Sequence, residues 1–153
     1  AAGDKKLYKD ASDRFLRLIL LQDELLATRP EFKVGTWIAR ARSLGGTPEE
    51  KELYEWNARV QITTWGNRLA ADEGGLRDYA HREWNGILKD FYYMRWKAWF
   101  DYQTQLLDGK KPVAIDFYAI EEPWTKATNV YSSEPEGDCI PTVKRIFVEI
   151  FGK

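Results

Sequence analysis

The sequence predicts an all-α fold, a helical bundle of about five or six helices, on three observations. Apolar residues recur every three or four positions through most of the chain, the spacing of helices that bury one face. No stretch sustains the two-residue alternation of a half-buried strand. Interruptions of the helical period coincide with Pro, paired Gly, and Thr or Asp at capping positions, residues that start and stop helices. At 153 residues the chain fits a single domain, 1–153, with no internal repeat, low-complexity tract or linker. A chain of that length can bury a core without covalent staples.

The first helix is expected from about Leu7 to Thr28, where Phe15, Leu18, Ile19, Leu25 and Leu26 keep the period before Pro30. A second is expected over about Pro30 to Leu44, with Phe32, Trp37, Ile38 and Ala41 inward and Gly45-Gly46 as its stop. Thr47-Pro48-Glu49-Glu50 opens the third. There the hydroxyl caps free N–H groups, Pro suits the first helical position, and the Glu three residues after the cap reaches back. This helix carries Leu53, Tyr54, Trp56, Asn57, Val60 and Ile62 to about Trp65 and stops near Gly66. Asn67 to Gly75 reads as a loop because Gly74-Gly75 permits backbone angles closed to other residues.

The fourth and longest helix is expected from about Leu76 to Leu107, with Trp84, Ile87, Leu88, Phe91, Arg95, Trp99 and Leu106 three or four apart. Tyr92, Tyr93, Trp96 and Phe100 widen that face, so neighbours are expected on more than one side of the helix. Beyond Pro112 the pattern predicts a short helix around Asp116 to Trp124 and an irregular stretch through Asn129 and Pro135. A last helix runs from about Cys139 to Phe151, capped by Asp138.

Composition narrows function chiefly by exclusion. Net charge is −1 with acid and base interspersed, which does not suit a nucleic-acid partner. The single Cys139 and single His81 leave the usual thiolate and paired-imidazole metal patterns unfilled, so no metal and no cofactor are expected. The longest apolar run, Leu18 to Leu21, falls far short of the roughly 18 residues of a membrane span. The first residues lack the apolar centre of a signal peptide and read as the middle of a longer chain. Aromatic residues make up 14% of the chain, and such rings serve equally as core and as platforms for sugar rings.

Paired carboxylates are the feature to seek in a hydrolase, and Asp72-Glu73 and Glu121-Glu122 are the visible pairs. Neighbours in sequence do not face each other across a bond, and both pairs are expected on the solvated surface. The run Tyr92 to Lys97 mixes aromatic and basic residues at helical spacing, which reads as packing, and His81 lacks an identifiable orienting partner. Trp65-Gly66 stands apart: a large ring at a helix end, followed across a flexible loop by Leu76 and Tyr79. If the loop folds back these three could line a pocket wall, the tyrosine hydroxyl giving direction, with ordinary bundle packing as the alternative.

Around these residues the sequence resembles the C-terminal domain of glycoside hydrolase family 89, the α-N-acetylglucosaminidases. That family includes a lysosomal enzyme trimming heparan sulfate and bacterial relatives. The resemblance rests on Leu25-Leu26, Phe32, Gly35, Trp37, Ala39 and Ala41, then Tyr54, Asn57, Arg59 and Gln61 to Gly66. It continues through Leu76 to Ala80, Trp84-Asn85-Gly86, Phe91 to Trp96 and Pro135 to Asp138, covering the chain from about Ala11. The resemblance implies an enzyme of three parts, with both catalytic glutamates in a (β/α)8-type barrel absent from this chain. It implies that the helical domain packs on that barrel and lines the pocket for a terminal α-linked N-acetylglucosamine with Trp65, Leu76 and Tyr79. In the family's human-like pattern the aliphatic residue is Ile where Leu76 stands here, and the loop before it is about five residues shorter. The expected parent is an exo-acting retaining enzyme, exported to the periplasm or medium if bacterial and lysosomal if animal, while the isolated domain is inactive. An exposed barrel-facing surface would favour self-association. The rival reading is a free-standing helical module that binds a protein or glycan.

Overall fold

The computed structural model describes residues 4–152. Helix α1 (Lys5–Ala27) is the longest, opened by Asp4, whose carboxylate accepts from the Lys6 and Leu7 N–H groups at 3.0 and 3.1 Å. It ends before Pro30, where a 3-10 turn (Pro30–Phe32) intervenes, so α2 (Val34–Arg42) starts later than the sequence period suggests and Phe32 stays exposed. Helix α3 (Pro48–Gln61) carries the expected capping box. The Thr47 hydroxyl accepts from the Glu50 N–H at 3.2 Å, and the Glu50 carboxylate accepts from Thr47 N–H at 3.2 Å.

The expected helix from Leu76 to Leu107 does not form as one element. A π-helical turn (Leu69–Glu73) leads into an irregular corner, and helix resumes near Ile87 with a second π-helical turn (Leu88–Tyr92) that runs into α4 (Tyr93–Leu107). The corner's amides bond across the fold instead of along it. Asp78 N–H donates to Thr63 C=O at 2.7 Å, Asn85 N–H to Phe32 C=O at 2.8 Å, and Val34 N–H to Asn85 C=O at 3.1 Å. Trp65, Asp78 and His81 hold positive φ of 63°, 57° and 42°, angles incompatible with a continuing right-handed helix. Trp84 consequently lies outside any helix, its ring 6.1 Å from that of Trp37.

The restart at Gly86 is capped from a distance. Asp23, buried on α1, accepts from Gly86 N–H at 2.6 Å, Lys89 N–H at 3.2 Å and Asn85 Nδ2 at 2.7 Å. It supplies to this helix start what a local N-cap supplies elsewhere. Burial pushes the Asp23 carboxyl up from its ordinary value, against the downward pull of these donors.

Helices α5 (Phe117–Thr125, capped by Asp116) and α6 (Cys139–Phe151, capped by Asp138) follow as expected, separated by an irregular stretch. The core is built from Ile19, Val34, Ile38, Ile62, Ile87, Leu88, Phe91, Tyr92 and Trp124. Helix α4 meets α1 through Phe15, 4.8 Å from Trp96 and 5.4 Å from Phe100, and reaches α5 through Arg95. Met94 and Trp99 on its remaining side stay exposed.

The irregular stretch is held by buried cations. Arg59, fully buried, donates to the Glu55 carboxylate at 2.7 Å and to Asn129 C=O at 2.8 Å, and lies 4.9 Å above the Trp124 ring. Lys33, also buried, donates to Glu136 at 2.6 Å. At Gly35 a Cβ would sit 2.2 Å from the Ser132 carbonyl oxygen, so only glycine lets α2 approach this backbone.

Candidate functional site

Helix α3 unwinds at its C-terminus, where Trp65 N–H donates back to Val60 C=O at 2.8 Å and the left-handed backbone turns the indole outward. The corner folds back beside it through the Asp78 to Thr63 bond, bringing the Tyr79 ring to 5.7 Å from that of Trp65 at an interplanar angle of 51°. Trp65 is 37% and Tyr79 73% exposed. The pair edges a cleft of about 590 Å³ whose other walls include Trp37, Ile62, Arg82 and Trp84. Leu76 is half-buried, its N–H directed to Ala70 C=O at 3.4 Å, and it lies outside the lining of this cleft.

No carboxylate is among the residues lining the cleft, which also takes in Arg40 and Gln61. Flat rings, two guanidinium groups and an amide can stack on and hydrogen-bond a sugar. They include no pair of facing carboxylates of the kind most glycosidases use. Among the described residues, no group of three or more His, Cys, Asp or Glu side chains is placed to hold a metal ion.

Behind the Trp65–Tyr79 edge lies a charge network. Asp78 accepts from the Tyr92 hydroxyl at 2.5 Å and from Arg95 Nη1 at 2.8 Å. Arg95 Nε donates to Glu121 at 2.7 Å, the other Glu121 oxygen accepts from Arg77 at 3.0 Å, and Arg77 also pairs with Asp72. Glu121 is 1% exposed, which corrects the expectation that both members of Glu121-Glu122 are solvated. Only Glu122 faces outward, paired with Lys126 at 2.8 Å. A buried carboxylate is retained because two guanidinium groups compensate its lost hydration. Burial works against the Arg95 charge, but Glu121 and Asp78 outweigh it and hold its pKa above the ordinary value. Burial and the bond to Asp78 push Tyr92 well above the usual phenol range.

His81 is exposed, with Nε2 3.1 Å from Glu83 and Nδ1 3.6 Å from Asp78, partners that its sequence neighbourhood contained without singling out. Sequence reasoning missed Asp78, Arg77 and Glu121 as a unit. The available signal was Arg95, a cation at an inward position of an apolar helix face, which demands buried acidic partners.

The family model of the α-N-acetylglucosaminidase (NAGLU) C-terminal domain matches residues 1–149. Human α-N-acetylglucosaminidase is 28% identical over 134 residues, covering 84% of this chain and 17% of the human protein. A family 89 glycoside hydrolase from Clostridium perfringens, solved in complex with 2-acetamido-1,2-dideoxynojirmycin, is 40% identical with a TM-score of 0.84. That match covers 92% of this chain and 17% of the other. A Glu-to-Gln double variant of the Clostridium perfringens enzyme, solved with its substrate GlcNAc-alpha-1,4-galactose, is 38% identical with a TM-score of 0.87, covering 96% and 17%. The chain therefore spans 17% of the length of each of these relatives.

Proposed function

Because the chain belongs to the family of α-N-acetylglucosaminidase C-terminal domains, we propose that it forms a wall of the sugar pocket in an exo-acting retaining α-N-acetylglucosaminidase, packed on a catalytic barrel. In that reading the barrel contributes two carboxylates. One attacks the anomeric carbon, and the other protonates the leaving oxygen and then activates water. The helical domain contributes the Trp65 platform, the Tyr79 hydroxyl and, from a less forward position, Leu76 around a terminal α-linked N-acetylglucosamine. Positioning the sugar and excluding water lower the barrier even from residues that never react.

The observation that carries this reading is the cleft itself: aromatic and hydrogen-bonding, yet without a carboxylate. It is suited to hold a sugar, and in this reading the carboxylates that cleave one come from the barrel. In the full-length enzyme, Trp65→Ala and Tyr79→Phe are each expected to lower kcat/KM about tenfold, a loss of about 1.4 kcal/mol. The melting temperature should change little, since both side chains are exposed. The isolated chain serves as the inactive control with a chromogenic α-N-acetylglucosaminide. Unchanged kinetics in both variants would remove the pocket-wall role, and hydrolysis by the isolated chain would place catalytic groups within it.

A second surface supports docking to a larger body. Ile140, Val143, Phe147 and Phe151 recur along α6 at helical spacing and are all exposed, while the opposite side of the helix is tied to α1 by Arg17 and Glu149 at 2.6 Å. In the parent this ridge is covered by the barrel side of the protein. Uncovered, it pairs with a second copy.

A further inference from the structure

We propose that Asp78 and Arg95 are positioning residues of the sugar site: their half-buried ion pair fixes the left-handed turn that presents Tyr79 to Trp65. The inference rests on the pocket-wall reading and concerns how that wall is held in place.

Tyr79 has no regular element beneath it. It sits in an irregular corner, one residue after Asp78 at φ +57° and two before His81 at φ +42°. Its own side chain is largely exposed and its ring contact is with Trp65. Nothing in its own packing determines where the ring points, so the backbone must. That backbone is anchored at the residue before it. Asp78 gives its N–H to Thr63 C=O at 2.7 Å, two residues from Trp65. Its carboxylate accepts from Tyr92 Oη on one oxygen and from Arg95 Nη1 on the other. One residue thereby ties the Tyr79 side of the cleft to the Trp65 side and to the rigid start of α4.

Arg95 is in turn oriented from behind. Its Nε is taken by Glu121 of α5 at 2.7 Å, its guanidinium lies 5.0 Å from the Phe91 ring centre, and the same Glu121 holds Arg77, the residue preceding Asp78. Two consecutive corner residues, Arg77 and Asp78, thus point inward onto one carboxylate-guanidinium chain, and the third, Tyr79, points out. A guanidinium that donates to two different carboxylates has little rotational freedom, which suits it to set a geometry as well as to neutralise charge.

Asp78→Asn separates these roles, because Asn tolerates the left-handed backbone and keeps the shape while losing the charge. In the chain labelled with 3-fluorotyrosine, the Tyr79 fluorine resonance is identified by its loss in Tyr79→Phe. It is expected to shift and broaden in Asp78→Asn. Tyr8, on α1 against the Phe100 ring and remote from the corner, should not move. A Tyr79 resonance unchanged in Asp78→Asn overturns the proposal. If that variant fails to fold, Arg95→Lys, which keeps the charge but cannot reach both Asp78 and Glu121, replaces it with the same two outcomes.

In the full-length enzyme, Asp78→Asn is expected to lower kcat/KM about tenfold, mainly through a higher KM. In a Tyr79→Ala background the same change should cost less than twofold, because the group it positions is gone. Equal losses in both backgrounds overturn the positioning role. A Tyr79 resonance that moves while Tyr79→Ala leaves the kinetics unchanged supports the positioning of Tyr79 and overturns the pocket-wall reading instead.

Discussion

Asp23 shows how much a single side chain can decide in this molecule. A carboxylate on an otherwise apolar side of α1 ends the irregular corner by accepting two backbone donors and the Asn85 amide. Asp23→Ala would leave the Gly86 and Lys89 N–H groups without this acceptor, while Asn85 Nδ2 keeps the Asp23 C=O at 3.2 Å, at a cost of about 2–4 kcal/mol. Thermal unfolding should record this as a fall of roughly 5–15 °C for a domain of this size. Asp23→Asn, which retains an acceptor, should lose less, and equal losses would show that the cap is not what Asp23 contributes. Tyr131 makes a different residue-scale prediction. Burial, then its bond to Asp90 at 2.7 Å, raises its hydroxyl from 10.0 to about 12. The folded state favours the protonated phenol, so this contribution is complete below pH 10 and disappears as pH rises through about 12. Melting temperatures measured from pH 9 to 12 should fall more steeply for the natural chain than for Tyr131→Phe. Parallel curves would exclude the linkage.

Helix boundaries followed two rules, and the difference explains which were legible. The starts of α3, α5 and α6 are written locally, as Thr47, Asp116 and Asp138 accepting from amides two or three residues on. These starts could be placed to within a residue from the sequence. The stretch from Leu76 to Gly86 follows the other rule. Its apolar spacing is compatible with a helix, but its amide groups are claimed by Thr63, Phe32 and Asp23, remote in sequence. Gly86 marks the junction, at φ +92° with space for a Cβ taken by Val34 Cγ1 at 2.7 Å and the Tyr131 ring at 2.8 Å. Gly86→Ala combines backbone strain with overpacking and is expected to destabilise the domain by about 2–4 kcal/mol. A chemical-denaturation midpoint within error of the natural chain would show that the corner rearranges at little cost.

At the scale of the whole molecule the aromatic surplus divides into three uses. Phe91, Tyr92 and Trp124 fill the core, Trp65 and Tyr79 edge the cleft, and Phe147 and Phe151 with neighbouring aliphatics form the α6 ridge. Phe147 is 50% exposed on that ridge, and concentrated solutions of the isolated chain are expected to contain dimers. Phe147→Glu should return them to monomers in light scattering, and a strictly monomeric natural chain at high concentration would dismiss the ridge as a contact surface.

Much of this protein was determined by sequence alone: the all-α class, the order of the helices, the caps at Thr47 and Asp138 and the prominence of Trp65 beside a flexible loop. These follow from interactions between residues a few positions apart, which periodicity and capping chemistry encode directly. Tertiary structure decided the rest. Whether residues 76–86 form helix or corner, whether Glu121 meets water or two arginines, and whether Tyr79 rather than Leu76 stands beside Trp65 all depend on partners tens of residues away. A buried polar group takes whichever partner the fold brings within reach, and no local pattern names that partner in advance.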